Sequence, residues 1–265
     1  MSNVPIYNEK DFEGMRISGQ VAAEVLDYIT DFVKPGISTG ELDDLCYKKI
    51  QELGAIAAPL GYNGYPKPTC ISVNHVVCHG IPSYEKKLKD GDILNIDVTV
   101  IVNGYYGDTS RMYYAGTPSV KAKRLTQCTY ECLMLGIEQV KPGNTLGDIG
   151  YVIQRHAEKQ GFSVVRDFCG HGVGKVFHDE PQVLHYGNKG KGLVLKEGMI
   201  FTIEPMINAG RYDVIVSKLD GWTTTTRDKS LSAQFEHTMA VTKDGVEIFT
   251  LSKKGYTCPP YNIIK

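Results

Sequence analysis

The sequence predicts an α+β fold built from two similar halves that face each other across a seam. Three observations predict it: two helices with regular apolar spacing near the start, an alternating hairpin around an Asn-Gly pair, and a return of the same pattern in the second half of the chain. We expect one domain over residues 1–265, with an internal duplication roughly over 10–115 and 116–250, pseudo-symmetric αβ halves and antiparallel sheet.

Composition excludes several classes of protein. The net charge is −1 and no basic run is present, so the sequence has none of the clustered positive charge that is typical of nucleic-acid binding. The seven cysteines are scattered without a CxxC pair, which argues against a disulfide framework or a structural zinc site. The sequence contains no signal peptide and no apolar run of membrane-spanning length, so we expect no membrane partner and a cytoplasmic location.

The first two predicted elements are helices. Apolar residues follow helical spacing from Ile17 to Val33, and the Pro-Gly pair at 35–36 ends the run. A second helix is expected after Ser38, with Gly54 as its C-terminal stop.

The stretch NIDVTVIVNGYYGDTS predicts a β-hairpin that carries two aspartates. If the Asn-Gly pair at 103–104 forms a two-residue turn, Asp108 lies opposite Thr99. In the same register Asp97 lies opposite Ser110, so the two aspartates are diagonal neighbours on one face. A solvated face is the alternative for a hairpin taken alone. If this face is buried, two carboxylates so close together require a cation or another positively charged group between them.

The sequence of the second half repeats that of the first at a constant offset, so that Gly36 corresponds to Gly143. LKDGDILNID at 88–97 falls on LKEGMIFTIE at 195–204, so Asp97 falls on Glu204. Each half also holds a short histidine motif, HGIP beginning at His79 and HDEP beginning at His178. Polar residues of both halves should therefore converge on the seam, where a cleft would form the site.

Five side chains are the candidate metal ligands at this seam. Glu204 and Glu236 lie in apolar strand patterns, and glycines flank His171. Four carboxylates and one imidazole form an oxygen-rich set for two adjacent divalent ions, and they favour Mn, Fe(II) or Co over a structural zinc. The full set is Asp97, Asp108, His171, Glu204 and Glu236.

The motifs identify a family. CHGIP, NIDVTV, GYYGDTSRM, GHGVGKVFHDEP, MIFTIEPMI and SAQFEHT resemble the type I methionine aminopeptidases of bacterial type, without an N-terminal extension, which have the pita-bread fold. The resemblance extends from about residue 8 to residue 252. It implies the same five ligands, with Asp108 and Glu236 bridging the two metals.

The resemblance also implies a reaction. The family removes the N-terminal methionine of nascent proteins when the second residue is small, by means of a hydroxide that bridges two divalent metals. By this likeness, Glu204 moves a proton from water to the leaving amine, while His178 stabilises the tetrahedral oxyanion and His79 holds the scissile amide nitrogen. The two histidines are thus expected to be both catalytic and substrate-binding residues.

Further expectations rest on the same likeness. The methionine pocket would be lined by Tyr62, Tyr65, Cys70, Phe177 and Trp222. A monovalent cation is expected near Asn74, Val76 and Ser232. The substrate would be met at the ribosome, and a monomer is the default oligomeric state.

Three alternatives within and beyond this family can be compared with the sequence. Proline-specific Xaa-Pro peptidases share the fold but carry a large additional N-terminal domain, and the stretch before His79 is too short to hold one. Type II methionine enzymes have an insertion between the two glutamates, whereas Glu204 and Glu236 are too close in this sequence to contain it. A non-catalytic binding homologue should have lost its ligands, and all five positions are occupied by proper ligands.

Overall fold

A computed structural model of the chain describes residues 4–261, and its architecture is α+β. The helices are α1 (Glu9–Ile29), α2 (Thr39–Glu52), α3 (Val120–Ile137) and α4 (Leu146–Lys159), and short 3₁₀ turns cover Thr30–Phe32 and Tyr62–Gly64. The strands are β1 (Ile56–Ala57), β2 (Cys70–Val73), β3 (Val76–Cys78), β4 (Asp92–Val102), β5 (Tyr105–Ala115), β6 (Ser163–Val164), β7 (Gly170–Gly172), β8 (Asp179–Val183), β9 (Ile200–Ile203), β10 (Met206–Asn208), β11 (Val214–Val216), β12 (Thr224–Thr226), β13 (Ser232–Gln234), β14 (His237–Val241) and β15 (Val246–Ile248).

The strands pair antiparallel in four sheets. One sheet has the order β1-β4-β2, with β5 on the other edge of β4, and the largest has the order β15-β14-β9-β7-β8. The two smaller sheets are β13-β10-β6 and β11-β12-β3. No helix in the described part of the chain is both long and apolar enough to cross a membrane.

Each half of the chain has its own hydrophobic core. In the first half, residues such as Leu26 on α1, Cys46 on α2 and Ile96 on β4 are fully buried against one another. In the second half, Ile153 on α4 and Phe201 on β9 belong to a separate buried cluster. Each pair of helices therefore covers one face of a sheet and leaves the seam between the sheets for polar side chains.

The backbone repeats at the same offset as the sequence. Helices α2 and α4 each have 14 residues, and both begin with a capping box, at Ser38 and at Thr145. Gly36 and Gly143 have φ angles of +93° and +90°, a region that favours glycine. These matched features support our proposal that residues 1–265 form a single catalytic domain with an internal duplication.

The hairpin register is as predicted. Strands β4 and β5 place Thr99 opposite Asp108 and Asp97 opposite Ser110. Asn103 and its glycine neighbour both have positive φ angles, +51° and +82°, as a type I′ turn requires. The turn therefore fixes both aspartates on one face of the hairpin.

The two halves are joined where β5 meets the segment between β13 and β14. The amide of Glu236 donates to the carbonyl of Ser110 at 3.1 Å, and the Thr109 hydroxyl donates to the Glu236 carbonyl at 2.7 Å. The Thr238 hydroxyl donates to the carbonyl of Asp108 at 2.7 Å. These bonds hold Asp108 and Glu236, one from each half, against each other.

Two strand assignments differ in detail from the sequence pattern. The apolar alternation around Glu236 predicts one continuous strand, but the structure breaks it there into β13 and β14. The backbone of Glu236 pairs with Ser110 on β5 and not with the strands that pair with β13 and β14. This isolated bridge explains the break. Glu204 likewise lies just beyond the end of β9.

Candidate metal centre

All twelve predicted site residues line one cavity of about 380 Å³. They come from both halves, and the cavity lies at the seam between them. The twelve are Tyr62, Tyr65, Cys70, His79, Asp97, Asp108, His171, Phe177, His178, Glu204, Trp222 and Glu236.

The five proposed ligands lie close together. One ligand atom from each of Asp108, His171 and Glu236 lies within 4.8 Å of the other two. His171 Nε2 is 3.6 Å from Asp108 Oδ2 and also 3.6 Å from Glu204 Oε1. Asp97 lines the same cavity, and its charge acts on Glu204 and Glu236.

Neighbouring side chains orient these groups. Thr99 donates its hydroxyl proton to Asp108 Oδ1 at 2.6 Å. Thr202 Oγ1 donates to Glu204 Oε1 at 2.8 Å, and Gln234 Nε2 donates to Glu204 Oε2 at 3.2 Å. Each of these two carboxylates is therefore fixed in direction while keeping lone pairs free for a cation.

The orientation of His171 suits it for metal binding. Its Nδ1 lies 3.0 Å from the carbonyl of Gly172, which can only accept, so Nδ1 carries the proton. Nε2 then presents its lone pair towards the carboxylates of Asp108 and Glu204. Burial lowers the pKa of His171, which keeps the imidazole neutral, the form that binds a metal.

The carboxyl groups lie close together and are shielded from water, which opposes their ionisation. Burial and the charge of Asp108 raise the pKa of Asp97 well above its usual range, and burial also raises the pKa of Glu204 and Glu236. Among the described residues that line the cavity there is no lysine or arginine. No lysine or arginine in this lining therefore offsets the carboxylates, and hard divalent ions fit their oxygen-rich chemistry.

The two other histidines lie beside the ligands. His79 follows β3 with φ at +54° and packs edge-on against Phe168 and Trp222, with ring centroids 5.4 and 5.8 Å away. Burial lowers the pKa of His79 to about 4. The pKa of His178 is also lowered, by partial burial and then by the nearby His171. Both imidazoles are therefore neutral near pH 7.

Aromatic rings form one wall of the cavity. The ring of Tyr62 lies 4.8 Å from that of Phe177, and the ring of Tyr65 lies 5.2 Å from Trp222, centroid to centroid. The Cys70 thiol is buried, which raises its pKa and keeps it as an apolar, polarisable group. The wall therefore offers an apolar surface to a substrate side chain.

Several supporting residues were not predicted. The hairpin register already placed Thr99 opposite Asp108, and Thr202 and Gln234 each lie two positions before a glutamate of the site, on the same face of a strand pattern. These signals were present in the sequence. Phe168, which packs on His79, has no comparable signal.

Asn74 and Ser232, predicted near a monovalent cation, also come together. The amide of Ser232 donates to the carbonyl of Asn74 at 2.8 Å, just before β3 begins at Val76.

Comparisons with known proteins agree with this geometry. The model of metallopeptidase family M24 matches residues 13–243. The methionine aminopeptidase of Rickettsia prowazekii (strain Madrid E) is 65% identical over 258 residues, which cover 97% of this chain and 99% of that protein.

Solved structures give the same relationship. The crystal structure of methionine aminopeptidase from Rickettsia prowazekii matches with a TM-score of 0.92 and covers 94% of this chain and 100% of that one. The prolidase of Pyrococcus horikoshii OT3 matches with a TM-score of 0.73 at 23% identity, covering 94% of this chain and 64% of that one, which shows a shared fold.

Proposed function

Because the chain belongs to metallopeptidase family M24, among its methionine aminopeptidases, we propose that it removes the N-terminal methionine from proteins whose second residue is small. The observation that carries this proposal is the convergence of four carboxylates and one histidine in a single cavity, with no lysine or arginine among the described residues that line it. The alternative of a proline-specific peptidase has support from the shared fold alone.

We propose Asp97, Asp108, His171, Glu204 and Glu236 as the ligands of two divalent ions, with Mn, Fe(II) or Co best suited to the oxygen-rich set. Divalent ions held by these residues would supply Lewis-acid chemistry, polarising the scissile carbonyl and lowering the pKa of water.

Glu204 is the proposed proton carrier. Its carboxylate would accept a proton from the attacking water and return it to the leaving amine nitrogen. The bonds from Thr202 and Gln234 hold the carboxylate in one orientation during both transfers.

The two neutral histidines have complementary roles. His178 would donate a hydrogen bond from Nε2 to the oxyanion that develops on the scissile carbonyl. The hydroxyl of Tyr62 lies 3.0 Å from Nδ1 of His178 and can donate to it, which would leave the proton on Nε2. His79 accepts a hydrogen bond from the scissile amide and keeps that nitrogen near the proton that Glu204 returns.

The methionine side chain of the substrate would lie against the aromatic wall. This pocket is lined by Tyr62, Tyr65, Cys70, Phe177 and Trp222. We place the monovalent cation near Asn74, Val76 and Ser232, next to the start of β3, whose end leads to His79.

We further propose that the substrates are nascent chains at the ribosome, that the protein acts in the cytoplasm, and that it acts as a monomer. All seven cysteines are free thiols, which suits a reducing compartment. A single chain supplies the whole candidate ligand set, so a second copy is not needed to complete the site.

Release of free methionine from Met-Ala-Ser by metal-stripped protein tests the proposal, with and without added Mn(II), Fe(II) or Co(II). We expect cleavage only when metal is added, and little cleavage of Met-Lys-Ser because its second residue is large. Cleavage of Ala-Pro-Ala would instead assign the protein to the proline-specific peptidases. Absence of cleavage by folded protein under every metal would favour a non-catalytic binding role.

A further inference from the structure

A buried carboxylate on α2 holds the segment that leads into the substrate pocket. Asp43 is 1% exposed, and its Oδ1 accepts two hydrogen bonds from Thr69, one from the amide at 3.1 Å and one from the hydroxyl at 2.7 Å. Lys67 lies at the other oxygen, with Nζ 3.7 Å from Oδ2. Because Thr69 is fully buried, it has no access to water as a substitute partner.

Thr69 connects Asp43 to the pocket wall. It directly precedes Cys70, the first residue of β2, which pairs with Asp97 on β4. The Tyr65 hydroxyl lies 3.1 Å from the carbonyls of both Thr69 and Gly80. Fixing Thr69 therefore fixes two pocket residues, Cys70 through the chain and Tyr65 through its hydroxyl.

The second half of the chain shows that helix packing does not require this carboxylate. At the offset that places Ser38 on Thr145, Asp43 corresponds to Gly150 on α4. A Cβ atom at Gly150 would lie 2.4 Å from the carbonyl oxygen of Tyr186, so the chain packs directly on the helix there. A carboxylate at this position occurs only in the half that supplies the wall containing Tyr65 and Cys70.

We propose that Asp43 is a positioning residue for substrate specificity, which acts through Thr69 to fix the pocket wall around the methionine side chain. It lies outside the proposed ligand set and need not touch the substrate. The inference rests on the proposed function, since it concerns how that same pocket selects its substrate.

Asp43→Ala tests the inference by removing the acceptor. The Thr69 amide and hydroxyl lose their partner, and we expect the KM for Met-Ala-Ser to rise about tenfold while kcat changes less than about threefold. The preference for Met-Ala-Ser over Leu-Ala-Ser should fall by about tenfold, because a looser wall discriminates less between the two side chains. Metal content should stay at the level of the unsubstituted protein.

Three matched variants separate positioning from general damage. Asp43→Asn keeps an acceptor oxygen and should restore both KM and the Met/Leu ratio to within about twofold. Asp44→Ala removes a charge from the exposed neighbour on the same helix and should change neither quantity. Thr69→Val removes only the hydroxyl bond and should give an intermediate effect, which keeps the inference testable if Asp43→Ala fails to fold.

A measurement that does not depend on catalysis completes the test. Alkylation of Cys70, followed by mass spectrometry, should be faster in Asp43→Ala than in the parent, Asp43→Asn and Asp44→Ala, with buried Cys132 of the second half as internal reference. Unchanged Cys70 labelling together with an unchanged Met/Leu ratio would overturn the inference. If the parent protein cleaves nothing, the proposed function fails, while Cys70 labelling still decides whether Asp43 holds the wall.

Discussion

The hydroxyl of Tyr62 lies 3.0 Å from Nδ1 of His178, and the two rings lie 5.2 Å apart. Tyr62 belongs to the first half of the chain and His178 to the second, so this contact crosses the seam. With the lowered pKa of His178, the imidazole is neutral and carries one proton. A hydroxyl that donates to Nδ1 leaves that proton on Nε2.

Replacement of Tyr62 by phenylalanine should therefore slow the reaction without changing metal binding. The imidazole loses the group that selects its tautomer, and we expect kcat for Met-Ala-Ser to fall about tenfold, equivalent to about 1.4 kcal/mol of transition-state stabilisation. The ring contact with Phe177 remains in this variant. Steady-state kinetics and metal analysis of the purified protein check the prediction, and an unchanged kcat would show that Tyr62 does not orient His178.

His79→Ala should lower turnover by about two orders of magnitude or more while metal content stays unchanged. The imidazole is proposed to hold the scissile amide, and it is not among the proposed ligands. Elemental analysis beside the kinetic assay separates these roles. Loss of metal in this variant would mean that His79 is a ligand and that its assigned role is wrong.

Asp97→Asn should stabilise the metal-stripped protein although it abolishes activity. Burial and the charge of Asp108 raise the pKa of Asp97, so ionisation of this carboxyl opposes folding at pH 7 when no cation is present. The amide cannot ionise, so this cost is absent in the variant. We expect a higher Tm than that of the parent protein in the presence of a chelator.

Addition of Mn(II) should then reverse the order of the two proteins in Tm. The parent gains stability from the bound ions, whereas the variant lacks one ligand and gains less. A lower Tm for the stripped variant than for the stripped parent would contradict the view that these carboxylates are held together against their own repulsion.

The pH dependence of the free energy of unfolding should show the titration of Asp43. Burial raises its pKa to about 6 from the ordinary 3.8, against smaller opposing effects of its Thr69 bonds and of Lys67, while Asp44 adds to the rise. The folded state therefore binds this proton more tightly than the unfolded state does. Below about pH 4 the Asp43 carboxyl is protonated in both states and does not affect the free energy of unfolding. Between about pH 4 and 6 it ionises more readily in the unfolded state, so the free energy of unfolding falls as the pH rises.

Asp43→Asn removes this titration, so the free energy of unfolding of the parent should fall relative to that of the variant as pH rises from about 4 to about 6. Urea unfolding of both metal-stripped proteins at several pH values measures the difference. A difference that does not change with pH would show that Asp43 keeps its ordinary pKa.

Local sequence signals predicted much of the fold around the site. The Asn-Gly pair at 103–104 sets the register of β4 and β5, because a two-residue turn leaves one pairing available. Ser38 and Gly54 mark the limits of α2, since the Ser38 side chain caps the first turn and Gly54 adopts a positive φ after the last turn. The repeat then brought Glu204 into the same site as Asp97.

Contacts between distant segments could not be predicted in this way. Asp43 and Thr69 are 26 residues apart, and no periodicity relates a helix residue to the residue that precedes a strand. The pairing of β3 with β12, which places Cys78 opposite Thr224, depends equally on tertiary packing. The break at Glu236 arises from the bridge to the β5 strand, whereas the local pattern there favours an unbroken strand.

The division of the proposed ligands between the halves has a consequence for ancestry. Asp97 and Asp108 precede residue 116, and His171, Glu204 and Glu236 follow it, so a polypeptide with one half alone would hold too few ligands for two ions. An ancestor of that size would have needed to associate as a homodimer, with one site on its twofold axis. A chain that contains both halves is free of that symmetry, so position 43 can hold a carboxylate while position 150 holds glycine.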